Sequence, residues 1–340
     1  MTQPLTADLT DSLVRGLPKV ELHVHLEGTL ERERIAEIAA VVGEPLPRPV
    51  EQLFDFDSLS TFLEFLDWTC SIVRTPELAA QLAYDFAARA TRDGILYAEV
   101  IINPTHWQRW DLGELIDALT EGFDRAEADG LAECHLLLSI LRSQSGEDAL
   151  ALVEWMGEHR PRRVLGLSID GDEARAGRTG PRFAAAYERA GELGFGRTAH
   201  AGESSGADGV RDAIDLLHVD RIDHGVRAID DPEIVHRLVD EDITLNVCIS
   251  SNLVHLYPDL PSHPFLALHR AGVPVTLNTD DPGYVGIDLT GEFLKAANAA
   301  GWGMAELAGV TRRAIDAAFC PPATAARLHA AVDAYLAARS

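Results

Sequence analysis

Cysteine is scarce in this chain. Only Cys70, Cys134, Cys248 and Cys320 occur among 340 residues and no two form a C-x-x-C pair, so neither a disulfide framework nor a cysteine zinc site is expected. They read as free thiols of a reducing compartment. No apolar run approaches the ~18 residues of a membrane span, and residues 1–15 carry acids instead of an apolar leader core. A cytoplasmic protein with no membrane partner is the expectation. Positive charge is short as well: 29 basic against 54 acidic side chains give a formal net charge of -25, a surface that repels polyanions. Nucleic acid is therefore not an expected partner, whereas a neutral small ligand meets no such barrier.

Other absences narrow the class. No Gly/Ser or Pro-rich linker and no fixed-period repeat divides the chain, and 46% hydrophobic with 24% charged residues is ordinary for a globular protein. One domain over residues 1–340 is expected. His25-Leu26-Glu27 is formally an H-x-E, yet no P-C-x-x-C accompanies it, and no G-x-S-x-G elbow is present. A cytidine-deaminase type of site and a serine nucleophile are both set aside.

What is present is an alternation of amphipathic helical patterns with short apolar runs. Thr75-Pro76-Glu77 offers a cap, an N1 proline and a first-turn acid, Leu78, Leu82 and Phe86 follow at i+4 spacing, and Gly94 ends the pattern. Asp231-Pro232-Glu233 repeats the device, with Ile234 and Leu238 on one face. Apolar runs fall near residues 20–26, 95–102, 134–141, 164–169, 197–201, 221–224, 243–248 and 273–279. Eight such runs predict an α/β fold, a closed (β/α)8 TIM barrel, with an open doubly wound sheet as the alternative. Residues 53–75, between the first two runs, carry Phe54, Phe56, Leu59, Phe62, Leu63, Phe65 and Trp68, more apolar side chains than an outer crossover needs. Further helices are expected toward the C-terminus.

Titratable residues gather at the ends of these runs, where a barrel keeps its active site. His23 and His25 stand at i and i+2, so in a strand they point to one side and can converge on an ion. His200 and Glu203 in Thr198-Ala199-His200-Ala201-Gly202-Glu203, His224 in Arg221-Ile222-Asp223-His224-Gly225, and Asp280 and Asp281 in Leu277-Asn278-Thr279-Asp280-Asp281-Pro282 close three later runs. His23, His25, His200 and Asp280 form a nitrogen and carboxylate set that suits one zinc with a position open to water. Iron, cobalt and manganese are not excluded by ligand softness.

The run from Pro18 through His23 and His25 to Gly28, His200-Ala201-Gly202-Glu203, Asp223-His224-Gly225 and Asn278-Thr279-Asp280-Asp281-Pro282 together resemble the adenosine deaminase family, over residues 18–320. The resemblance implies one Zn2+ per chain on His23, His25, His200 and Asp280. Glu203 would protonate or hydrogen-bond N1 of a purine, His224 would flank the attacking hydroxide, Asp281 would face N7, and the backbone N–H of Gly171 would face N3. It also implies that residues 54–68 form a helical lid, with Phe56 and Phe62 against the base, and that Glu27 contacts a sugar.

The chemistry agrees with these roles: zinc brings bound water to a pKa near ~7, and a buried carboxylic acid can supply the proton that N1 needs. Glu27 is longer than the acid that nucleoside deaminases of the family carry there and, with Asp281-Pro282-Gly283-Tyr284, looks like the adenine deaminase branch. Gly171-Asp172-Glu173 resembles the nucleoside branch. The expected reaction is hydrolytic deamination of adenosine or 2'-deoxyadenosine to the inosine product and ammonia. Adenine or a modified adenine nucleoside is the alternative substrate, and a non-catalytic purine-binding barrel is a third reading. No lysine ends the fourth run, so the bridged two-metal site of other amidohydrolases is not expected.

Overall fold

A computed structural model describes residues 9–56 and 59–339. Its strands are β1 (Lys19–His25), β2 (Ile95–Ile102), β3 (Glu133–Leu141), β4 (Val164–Asp170), β5 (Gly196–Arg197), β6 (His200–Ala201), β7 (Arg221–His224), β8 (Thr244–Val247) and β9 (Val275–Leu277). Every pairing is parallel, in the orders β1-β2-β3-β4-β5 and β6-β7-β8-β9. β5 and β6 are two halves of a fifth stave, for the Thr198 N–H reaches Leu167 O on one side at 2.9 Å and the Asp223 N–H reaches Ala199 O on the other at 2.9 Å. The ring closes where the His25 N–H donates to Asp280 O at 2.8 Å and the Asp280 N–H to His23 O at 3.2 Å. The expected (β/α)8 barrel is therefore the fold, built of eight staves.

Both helix starts lie where the capping chemistry places them. In the helix Pro76–Arg92 the Thr75 side chain accepts from the Leu78 N–H, and in Pro232–Asp240 the Asp231 side chain accepts from the Glu233 N–H. Each satisfies an otherwise orphan helix-terminal donor, a contribution of ~1 kcal/mol. Leu82, Phe86, Ile234 and Leu238 are buried, as their spacing requires. Gly94 follows the first helix at φ +76°, and a Cβ there would stand 2.1 Å from Arg15 O. Only glycine makes that turn into β2.

The insertion after β1 folds as helices, and Leu59–Ile72 passes over the barrel mouth. Phe54, Phe56, Phe62 and Phe65 surround Tyr284, with ring centroids 4.7 Å apart for Phe54 and 5.3 Å for Phe62. Edge-to-face pairs of this kind add ~0.5–1.5 kcal/mol each beyond the area they bury. Among the described residues four helices follow β9, and Met304–Ala317 packs on β9 and β1 across the closure. The helix Asp11–Gly16 was not anticipated, although Thr10 caps it, and Tyr335 of the last helix holds it through Leu13 O. Among the described residues no helix is long and apolar enough to cross a membrane, and all four cysteines are free thiols.

Candidate active site

Four staves bring their imidazoles and carboxylates to one point at the C-terminal mouth. Ligand atoms of His23, His200, His224 and Asp280 all lie within 4.8 Å of one another. His25, one pleat beyond His23, places its Nε2 3.0 Å from His200 Nε2 and 3.4 Å from Asp280 Oδ1. The tightest group thus holds His224 where the sequence reading put His25, and His25 adjoins it from the strand end. Both ring nitrogens of fully buried His23, and Nδ1 of His200, have no hydrogen-bond partner within the chain. Buried polar atoms without partners are costly unless something else meets them, and nitrogen donors arranged around a carboxylate suit a divalent metal.

A second layer aims these groups. Asp223, fully buried, sits 3.7 Å from Nδ1 of both His23 and His200 and accepts from Asn246 Nδ2 at 2.8 Å. Carboxylates behind ligating histidines fix ring orientation and raise basicity. Ser251 Oγ donates to Asp280 Oδ2 at 2.6 Å, and Asn252 Nδ2 lies 3.2 Å from His224 Nδ1, which turns His224 Nε2 toward Glu203 Oε1 at 3.6 Å. His224 and Asp280 adopt φ +62° and +66°, the left-handed region that side chains with a Cβ rarely enter. Strain at two adjacent site residues marks positions that the surroundings over-determine.

Two acids are tuned toward the protonated form. Burial pushes the Glu203 carboxyl above its ordinary value, with His224 pulling it back and Asp280 adding to the rise. Burial and then the neighbouring Asp280 push Asp281 well above the carboxylate range. Glu203 is aimed by its backbone: Glu173 accepts the N–H groups of Gly202, Glu203, Ser204 and Ser205 at 2.8–3.2 Å. Glu173 therefore organises the loop and does not face the base side of the site.

A cavity of about 150 Å³ spreads from this centre under the lid. Gly171, Glu27, Asp281, Phe56 and Phe62, the substrate-side residues of the sequence reading, all line it. Gly28 lets Asp281 approach, since a Cβ there would fall 1.8 Å from Asp281 Oδ1. Glu27 is buried; its Oε1 accepts the Asn103 N–H and Trp107 Nε1 at 2.8 Å each, and its Oε2 has no partner. Sequence reasoning assigned no role to Asp223, Ser251, Asn252, Asn103, Trp107 or His106. Only Asp223 stood in a quoted motif; the others act through contacts spanning tens of residues in sequence.

Mouth and ligand set together define a metal-dependent hydrolase on a barrel. A profile of the adenosine deaminase family matches residues 18–335, and the chain belongs to that family as a hydrolytic deaminase. It is 38% identical to an adenine deaminase of Cupriavidus necator over 327 residues, 94% of this chain and 92% of the relative. It is 37% identical to an adenine deaminase of Rhodospirillum rubrum over 95% of this chain and 98% of that one. Among solved structures, an adenine deaminase from Arthrobacter aurescens superposes with a TM-score of 0.88 at 29% identity, covering 94% of this chain and 99% of the other. An amidohydrolase from Burkholderia ambifaria with bound Zn gives 0.86 at 28% identity over 97% and 96%.

Proposed function

We propose that this chain is a zinc-dependent adenine deaminase, converting adenine and water to hypoxanthine and ammonia on one catalytic barrel. The observation that carries the choice of substrate is Glu27. Its carboxylate is locked by Asn103 and Trp107 into the wall of the cavity opposite Glu203, where the sugar of a nucleoside would have to lie. Tyr284, whose hydroxyl donates to Glu27 O at 3.1 Å, stands on the same side of the cavity. The adenine deaminase names of the relatives support this reading over the adenosine that sequence reasoning placed first.

His23, His25, His200 and Asp280 would hold one zinc, with Asp223 and Ser251 as outer support. Bound there, zinc supplies an activated water at neutral pH. Glu203, kept protonated by burial, gives its proton to N1 as C6 becomes tetrahedral, which neutralises the charge that develops on the ring. His224 and Asp280 border C6 and can carry a proton to the departing amine. Asp281, also protonated, donates to N7, and Phe56 and Phe62 exclude water above the ring.

The test is kcat/KM for adenine and adenosine side by side. Adenine is expected to exceed adenosine by ~10²-fold or more, since the sugar would clash or leave Glu27 unpaired. Preference for adenosine would return the assignment to the nucleoside branch.

A further inference from the structure

The ligand in this cavity has two ends. With N1 at Glu203 on the fifth stave, the far end of a purine, N9, points to the first and second staves, because first and fifth are opposed in a ring of eight. Glu27 follows the first stave and His106 the second. His106 sits in the turn Pro104–His106, whose Asn103 cap accepts the Thr105 N–H and whose Nδ2 donates to Asp170, so the turn is anchored to the end of β4. The imidazole is buried, lines the cavity, and spends Nδ1 on Asp67 Oδ1 at 2.6 Å. Asp67 belongs to the overlying helix Leu59–Ile72. Among the described residues no hydrogen bond engages Nε2, and Glu27, whose Oε2 is unpartnered, lines the same cavity close enough to act on the charge of the ring.

Resting on the adenine reading, we propose that His106, held by Asp67, is a specificity-determining residue that with Glu27 reads the unsubstituted N9 edge of a bare purine. An adjacent donor and acceptor match that edge, which offers the N9–H to Glu27 and, beside it, the N3 lone pair, shared between His106 and the Gly171 N–H that the resemblance implies there. The donor state has support from the surroundings: burial opposes a charged ring, but the bond to Asp67 and the nearby Glu27 and Asp170 outweigh it and raise the His106 pKa. A substituent on N9 removes the donor that Glu27 accepts and meets the imidazole. Because Asp67 lies on the lid, recognition of this edge is coupled to lid placement.

The experiment compares adenine with 9-methyladenine in the zinc-loaded full chain, for wild type, His106→Ala, His106→Gln and Asp67→Asn. His106→Ala should lower kcat/KM for adenine ~10- to 10²-fold, mainly through KM, and should lower the adenine to 9-methyladenine preference by a similar factor, at unchanged zinc content. His106→Gln, which keeps a donor, should recover part of the loss. Asp67 is 46% exposed, so Asp67→Asn is a mild change to the fold, and it should shift the ratio several-fold in the same direction. An unchanged ratio in both His106→Ala and Asp67→Asn, with adenine turnover retained, overturns this inference alone. A wild type that ignores adenine overturns the underlying reading, and the inference with it.

Discussion

The two ends of the barrel interior both bury charge, and they treat it in opposite ways. Along β7, Arg221 begins the strand at the floor and His224 ends it at the mouth. At the floor the Arg221 guanidinium donates to Glu99 and to Ala317 O at 2.9 Å and lies 4.0 Å over the Phe319 ring. Glu99 also accepts Tyr97 Oη at 2.9 Å and the Phe319 N–H at 2.6 Å. Beside this group, Lys19 donates to three carbonyls, among them Asp93 O at 2.7 Å. At the mouth, His23, Glu27 Oε2, His200 Nδ1 and Asp281 Oδ1 lack partners within the chain. Apart from Arg221 Nε, which has no partner, the charge at the floor is met within the chain and closes the barrel, whereas unpartnered polar atoms cluster at the mouth, where the barrel binds.

The largest effect expected from this contrast is on the metal. Chelation, or His200→Ala, should remove zinc and with it essentially all turnover, while the floor keeps the protein folded in circular dichroism. Active protein free of transition metal would break the account of the mouth. Next in size is Glu203→Gln, which preserves shape but has no acidic proton for N1; kcat should fall ~10²- to 10⁴-fold with metal content intact. Near-normal turnover would make Glu203 structural.

The floor should respond in the other currency, stability. Glu99→Gln leaves Arg221 buried without its counter-charge, and urea unfolding should show a loss of ~3–5 kcal/mol with kcat per folded site unchanged. A drop in kcat instead would blur the distinction between the two ends. The smallest effect concerns Lys19, whose pKa burial lowers from 10.5 to about 8, against the pull of Asp93. Between those pH values the unfolded chain holds a proton that the folded chain has released, so stability should rise with pH across that window. The difference between wild type and Lys19→Met in urea midpoints measured from pH 7.5 to 10 checks it; a flat difference would mean that Lys19 titrates normally.

Much of the fold was legible, and the misses have local causes. The runs at 95–102 and 221–224 match β2 and β7 at both ends, because a turn residue bounds each, Gly94 before the first and Gly225 after the second. The run at 273–279 shortens to Val275–Leu277: the Asn278 N–H still donates to Val247 O at 2.9 Å, while its side-chain Oδ1 accepts the N–H groups of Leu22 at 2.8 Å and His23 at 3.1 Å on the other side. That side chain does in closure what a backbone carbonyl does elsewhere. The run at 197–201 divides into β5 and β6 where the fifth stave passes from one neighbour to the next. The lid was visible as a density of aromatic residues, but its partner Tyr284, more than 200 residues away, was not.

Residue type and spacing by themselves pointed to the barrel and to titratable residues at its strand ends, with the role of Glu203 implied by the family resemblance, because strand periodicity and strand-end placement are local properties that survive in one dimension. Only the tertiary structure showed what each acid touches. Glu173, given no role of its own by the sequence, receives four backbone N–H groups under the Glu203 loop. It also decided that Glu27 is held by Trp107 and Asn103 instead of free to meet a sugar, and that Asp67 reaches His106 across the mouth. Side-chain hydrogen bonds to groups 29 to 80 residues away leave no periodic trace in a sequence, since their geometry exists only once the staves stand side by side.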